Sequence, residues 1–177
     1  MKLTTADAMP RSPAVPARGI SLAETLLAAT LLAVAATAGA LPFAAGMRSV
    51  LESQRVEQAI LLASALIDEI CALPFDDPIA PTNRSLGPGP GETTRALYNN
   101  TDDYHGYVET GSGPVDYQSA PIPAADVAGL TREVTSEYVL LPGQPAWDTY
   151  AFVRVTVRVY YQKRQLVSLS RIVAREY

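Results

Sequence analysis

A single cysteine, Cys71, and a single histidine, His105, are all that this chain of 177 residues offers for thiol or imidazole chemistry. One thiol closes no internal disulfide, and one imidazole has no second histidine or thiol with which to share a zinc ion. Basic residues are also in the minority, 14 against 18 acidic for a net charge of −4. The chain therefore lacks the positive footprint with which nucleic-acid binders neutralise phosphates, and nucleic acid is set aside as a partner. No nucleophile stands beside a visible base and orienting carboxylate, so neither an enzymatic activity nor a cofactor is expected. Internal repeats are absent, and the only low-complexity tract is the Gly-Pro run at 87–91. The length suits one domain of ordinary size.

What is present is unevenly distributed. Residues 1–18 are polar and proline-rich, with Lys2, Arg11 and Arg18 against Asp7, whereas residues 20–45 hold one ionisable side chain, Glu24. This asymmetry has the character of targeting. The 22 residues from Ile20 to Leu41 would span roughly 33 Å as a helix at about 1.5 Å per residue, enough for a hydrocarbon core of about 30 Å. Pro42 removes a backbone donor and crowds the preceding turn, which should kink the helix or end it there, a kink being preferred. Beyond it, Met47 to Leu73 contains no Gly or Pro. Val56, Ile60, Ala63, Ile67 and Ile70 recur there at three- and four-residue spacing, with Arg55, Glu57, Asp68 and Glu69 elsewhere. That spacing predicts an amphipathic helix continuing the first.

Pro74, Pro78, Pro81 and the Gly-Pro run break the periodicity, and residues 74–130 read as mostly loop, with short strands conceivable only near Tyr104 to Glu109. The last third alternates clearly. Ala151, Val153, Val155, Val157, Val159 and Tyr161 share one face, opposite Phe152, Arg154, Thr156, Arg158 and Tyr160. A polar turn over Gln162 to Gln165 leads to a second β-prone run, Leu166 to Ala174, placed to pair antiparallel with the first; Thr131 to Leu141 makes a third. Such a sheet needs a cover, and the 47–73 helix carries the only long apolar stripe. The expected fold class is α+β. A long N-terminal helix, membrane-spanning and then amphipathic, packs on a small antiparallel sheet, with segments at 1–19, 20–45, 46–73, 74–130 and 131–177.

The run Arg18-Gly19-Ile20-Ser21-Leu22-Ala23-Glu24, followed at once by the apolar stretch, resembles the leader signal of type IV pilins and type II secretion pseudopilins. In that family a dedicated peptidase cuts after a glycine, and the fifth residue beyond the cut is a glutamate. Gly19 matches the cleavage glycine, Ile20 the new, N-methylated terminus, and Glu24 the glutamate. The family commonly has Phe followed by Thr-Leu-Ile where this chain has Ile20 and Ser21-Leu22-Ala23. The resemblance implies a single-pass protein of the inner membrane with its head in the periplasm. It further implies a minor pseudopilin or minor pilin-like subunit whose partners are prepilin peptidase, other pilin-like subunits and an inner-membrane assembly platform. Losing residues 1–19 removes three basic side chains and one acidic, leaving −6. In this family's bundles Glu24 is expected to pair with a neighbour's free Ile20 amine, since a carboxylate at bilayer depth costs about 2.5 kcal/mol or more unless paired.

Two other readings compete. An exported soluble binding protein would use residues 20–38 as a conventional signal segment, with Ala36-Thr37-Ala38 as its cleavage site. A plain single-span membrane protein would keep its leader. Further features have bland expectations. Asp76-Asp77 and Asp102-Asp103 are read as solvated loop acids ahead of a calcium site. Tyr98, Tyr104, Tyr107, Tyr117 and Tyr138 are read as packing or contact residues and not catalytic ones, with Tyr104 and Tyr107 flanking a turn at His105-Gly106. Cys71 is a small buried hydrophobe. Arg154, Arg158, Lys163, Arg164, Arg171 and Arg175 guard the sheet edge or face a neighbour's acidic helix.

Overall fold

The computed structural model describes residues 19–109, 113–123, 127–145 and 147–175. The leader expected at 1–18 lies outside them. One helix, α1 (Leu22–Cys71), is followed by a short 3-10 turn at Arg95–Leu97 and by strands β1 (Leu130–Tyr138), β2 (Phe152–Tyr161) and β3 (Arg164–Ala174). The chain forms two compact units that divide between Met47 and Arg48.

In the first unit α1 is long and apolar enough to cross a membrane. Leu26, Leu27, Leu31, Leu32, Val34 and Phe43 are all exposed. Its few hydroxyls are satisfied within the helix, as a segment in hydrocarbon requires. Thr25 Oγ1 donates to Leu22 O at 2.8 Å, Thr30 Oγ1 to Leu27 O at 2.8 Å, and Thr37 Oγ1 to Ala33 O and Val34 O at 3.0 Å. The helix runs through Pro42 without ending.

In the second unit the three strands form one antiparallel sheet in the order β1-β2-β3. Val153, Val155, Val157 and Val159 of β2 are buried as their alternation predicts. β-branched side chains suit a strand because their stiff χ1 fits a pleated surface. Each fully buried valine contributes on the order of 1.5–3 kcal/mol. The helix covers this face with Ala59, Leu62, Ala63, Leu66, Ile67 and Ile70. The expected stripe is therefore corrected: Ala63, Ile67 and Ile70 belong to it, but Ile60 is exposed and Val56 only half-buried. The sequence Ala59-Ile60-Leu61-Leu62-Ala63 is apolar all round, so spacing alone left the rotation of the helix undetermined.

The β2–β3 turn is tighter than the four polar residues expected. Tyr161 pairs with Arg164, and only Gln162 and Lys163 lie between them, both in the left-handed region with φ 49° and 69°. This is the pattern of a type I′ hairpin, whose twist matches the strands it joins. A register shift follows at Val159/Tyr160. The outer edge of β1 is covered by residues 106–109: Gly106 N donates to Val134 O, Val134 N to Tyr107 O, and Glu109 N to Arg132 O. Among the described residues no backbone pairs with the outer edge of β3.

Candidate functional site

Gly19, Ile20 and Ser21 precede the helix, and all three are exposed. A side chain at Gly19 would meet nothing within 4 Å. Ser21 caps α1: its Oγ accepts from Glu24 N at 3.2 Å, while its carbonyl accepts from Glu24 N and Thr25 N, both at 3.1 Å. Ser-x-x-Glu is the sequence signature of a capping box, and it stands in plain view at Ser21 to Glu24. The carboxylate of Glu24 also lies in the first turn, where the helix dipole favours negative charge. Beyond that, it has neither a hydrogen bond nor an ion pair among the described residues. With every threonine hydroxyl of the run bonded back to the helix, Glu24 is, among the described residues, the one charged and unpartnered group on this exposed apolar surface.

The head is organised by two buried arginines that spacing did not flag. Arg132 sits at an inward position of β1, between Leu130 and Val134, and is fully buried with Glu109. Its Nη2 donates to Glu109 Oε1 at 2.5 Å and to Val115 O at 2.6 Å, and its Nη1 donates to the helix carbonyl of Leu62 at 3.3 Å. Glu109 also accepts from Val115 N and Arg132 N. Arg95, beside it in space, grips Glu69 of the helix through Nε at 2.8 Å and Nη2 at 2.5 Å, and donates to Val115 O at 2.9 Å. Tyr104 OH donates to the same carboxylate at 2.6 Å. Burial opposes the charge on Glu69, but the bonds from Arg95 and Tyr104 win and hold its carboxyl below the usual range. Burial and the Glu69 charge push the Tyr104 phenol up, so it remains a donor. Tyr98, Tyr104 and Tyr107 meet edge to face, with Tyr104 in the core, as their reading as packing residues requires.

The second acidic pair does not match its expectation. Asp102 and Asp103 are buried, not solvated. Asp103 Oδ2 accepts from Asn99 N at 2.7 Å and Asn100 N at 3.1 Å, which fixes the turn. Burial, helped by the Asp103 charge, pushes Asp102 up to about 6. Asp76 is engaged by Arg84 and Arg175, and Asp77 Oδ1 accepts from Ile79 N at 2.7 Å. Among the described residues no group of three His, Cys, Asp or Glu side chains could hold a metal ion. Cys71 is half-buried instead of buried; burial pushes its thiol up, away from the reactive thiolate. The C-terminal arginines turn to their own chain. Arg164 pairs with Glu52, Arg171 with Asp68 at 2.7 Å, and Arg154 with Glu137 at 2.7 Å.

No known protein family, curated protein or solved structure matches the chain.

Proposed function

We propose that this chain is a pilin-like subunit, a minor pseudopilin or minor pilin, that acts by assembly and not by catalysis. A prepilin peptidase cuts between Gly19 and Ile20. The remaining chain is held in the inner membrane by the N-terminal half of α1, with its head in the periplasm, until an assembly platform docks it with sister subunits. The observation that carries this reading is Glu24, a lone charge without a partner among the described residues, on an apolar run whose leucines at 26, 27, 31 and 32 are exposed. A carboxylate in that setting costs about 2.5 kcal/mol or more at bilayer depth, and it is relieved by a cation brought by a neighbour. The new amine at Ile20 of a second subunit is such a cation. Because a misplaced pair leaves a charge in hydrocarbon, the pairing also sets the axial stagger. The cap supplied by Ser21 survives the cut and keeps the first turn helical.

The test is the N-terminal residue of the membrane-extracted protein, read by intact mass and terminal peptide mapping in cells with and without the peptidase. A peptidase-dependent start at Ile20 is expected. A start at Gly39 makes the chain an exported soluble protein, and an intact Met1 makes it a plain anchor; either result ends the proposal. Glu24→Gln should then insert in the membrane normally but lose most of its recovery with partner subunits. Undiminished recovery would overturn the pairing.

A further inference from the structure

We propose that the end of the head formed by Arg48, Arg55, Lys163 and Arg164 is a docking surface for the phosphate headgroups of anionic phospholipids. The inference rests on the reading of residues 20–45 as a membrane span. Arg48 directly follows Met47, the last residue of the uncharged run. Glu52 and Arg55 come one and two turns later, about 6 and 11 Å further along the helix axis. The β2–β3 hairpin is fastened to these same two turns: Arg164 pairs with Glu52, and the Arg55 guanidinium lies 4.1 Å over the Tyr161 ring. Because Arg48 is joined directly to the run, a bilayer that holds the run keeps its headgroups within reach of these residues without any diffusive search.

The charge here opposes that of the whole chain. Four cations face two carboxylates, Glu52 and Glu57, in a protein of net −4. Glu52 is occupied by Arg164, while Arg48 and Lys163 have no partner among the described residues. Lys163 also stands where the backbone prefers another residue. Its φ of 69° is one that glycine or asparagine adopts freely in such a turn, so the hairpin retains a long cationic side chain at a strained position. Between the helix and Tyr161 at the base of the hairpin lies a groove of about 510 Å³ lined by Leu51, Gln54, Arg55, Gln58 and Ala128, with Glu57 as its one acid. The guanidinium and the two amides are donors suited to phosphate oxygens, and the ring and Leu51 suit the glycerol backbone.

The test uses the full chain with a fluorophore at Gln162→Cys in a Cys71→Ser background. The protein is reconstituted in phosphatidylcholine vesicles with or without phosphatidylglycerol, both carrying headgroup spin-labelled quencher lipid. Carbonate-resistant insertion is scored first and should be equal in the two compositions. Quenching is expected to be severalfold stronger with phosphatidylglycerol. The difference should vanish in about 1 M salt, where the screening length falls to about 3 Å, and in Arg48→Gln/Lys163→Gln, but survive in Arg48→Lys/Lys163→Arg. Equal quenching in inserted protein overturns the docking surface and leaves the span standing. Failure to insert overturns both.

Discussion

Arg132 occupies a position that strand alternation reserves for an apolar side chain, and its burial is tolerated because every part of the guanidinium has a partner. Taking one member of such a pair away strands the other charge in a dry interior, which costs about 3–5 kcal/mol, whereas replacing both with apolar groups is often neutral. Arg132→Met should therefore destabilise the head by that amount in urea unfolding, and Arg132→Met/Glu109→Leu should recover most of it. Asp102 gives a prediction of opposite sign. Its carboxyl titrates near 3.8 when unconstrained and about 6 in the fold. Between these values the folded protein holds a proton that the unfolded chain has released. The stability from this group is therefore full below about pH 4 and is lost as pH rises to 6. Glu69, held low by Arg95 and Tyr104, works the other way and withdraws stability only in acid. Asp102→Asn should stabilise the head by on the order of 2 kcal/mol at pH 7 and have little effect at pH 4. Urea midpoints at the two pH values check this, and an equal shift at both would contradict it.

At the scale of elements, the β2–β3 hairpin and the helix face differ in how openly the sequence declares them. The valines of β2 alternate with polar residues without a break, so strand, face and partner were all legible. The helix over 55–71 was legible as a helix but not in its rotation, because Ile60 and Leu61 are as apolar as the buried Leu62 and Leu66; only contact with the sheet decides among them. The two-residue turn was obscured for a different reason. Gln162 and Lys163 are not residues that favour positive φ, and nothing local announces a type I′ turn. Lys163→Gly should relieve the turn and raise stability by about 1 kcal/mol, seen as a higher urea midpoint. Gly129 offers the converse. Its φ is 77°, and an added Cβ would lie 3.2 Å from Tyr161 Cε2, so Gly129→Ala should cost about 1–2 kcal/mol.

For the whole molecule, the order of helix, loops and three strands followed from hydrophobic periodicity and from where prolines fall. The buried ties across the loop region did not. Arg95, Glu69, Glu109 and Arg132 are far apart in sequence and unremarkable in their local context; Arg132 alone carried a hint, as a charge in an inward strand position. At the N-terminal segment Gly19, Ile20 and Glu24 were singled out by likeness to a family, while the cap at Ser21, visible in the four-residue pattern itself, was passed over.

The arrangement of these ties has a consequence for chain continuity. α1 and the sheet are joined covalently only through residues 72–129, yet they also meet through the apolar core and through Arg95 to Glu69, Arg132 to the Leu62 carbonyl and Arg171 to Asp68. A peptide bond cut near the exposed Ile79 would divide the protein into a helix fragment and a sheet fragment that stay together as one particle on a sizing column and part only in denaturant. The same two fragments, produced separately, should find each other and restore the head, as a split protein does.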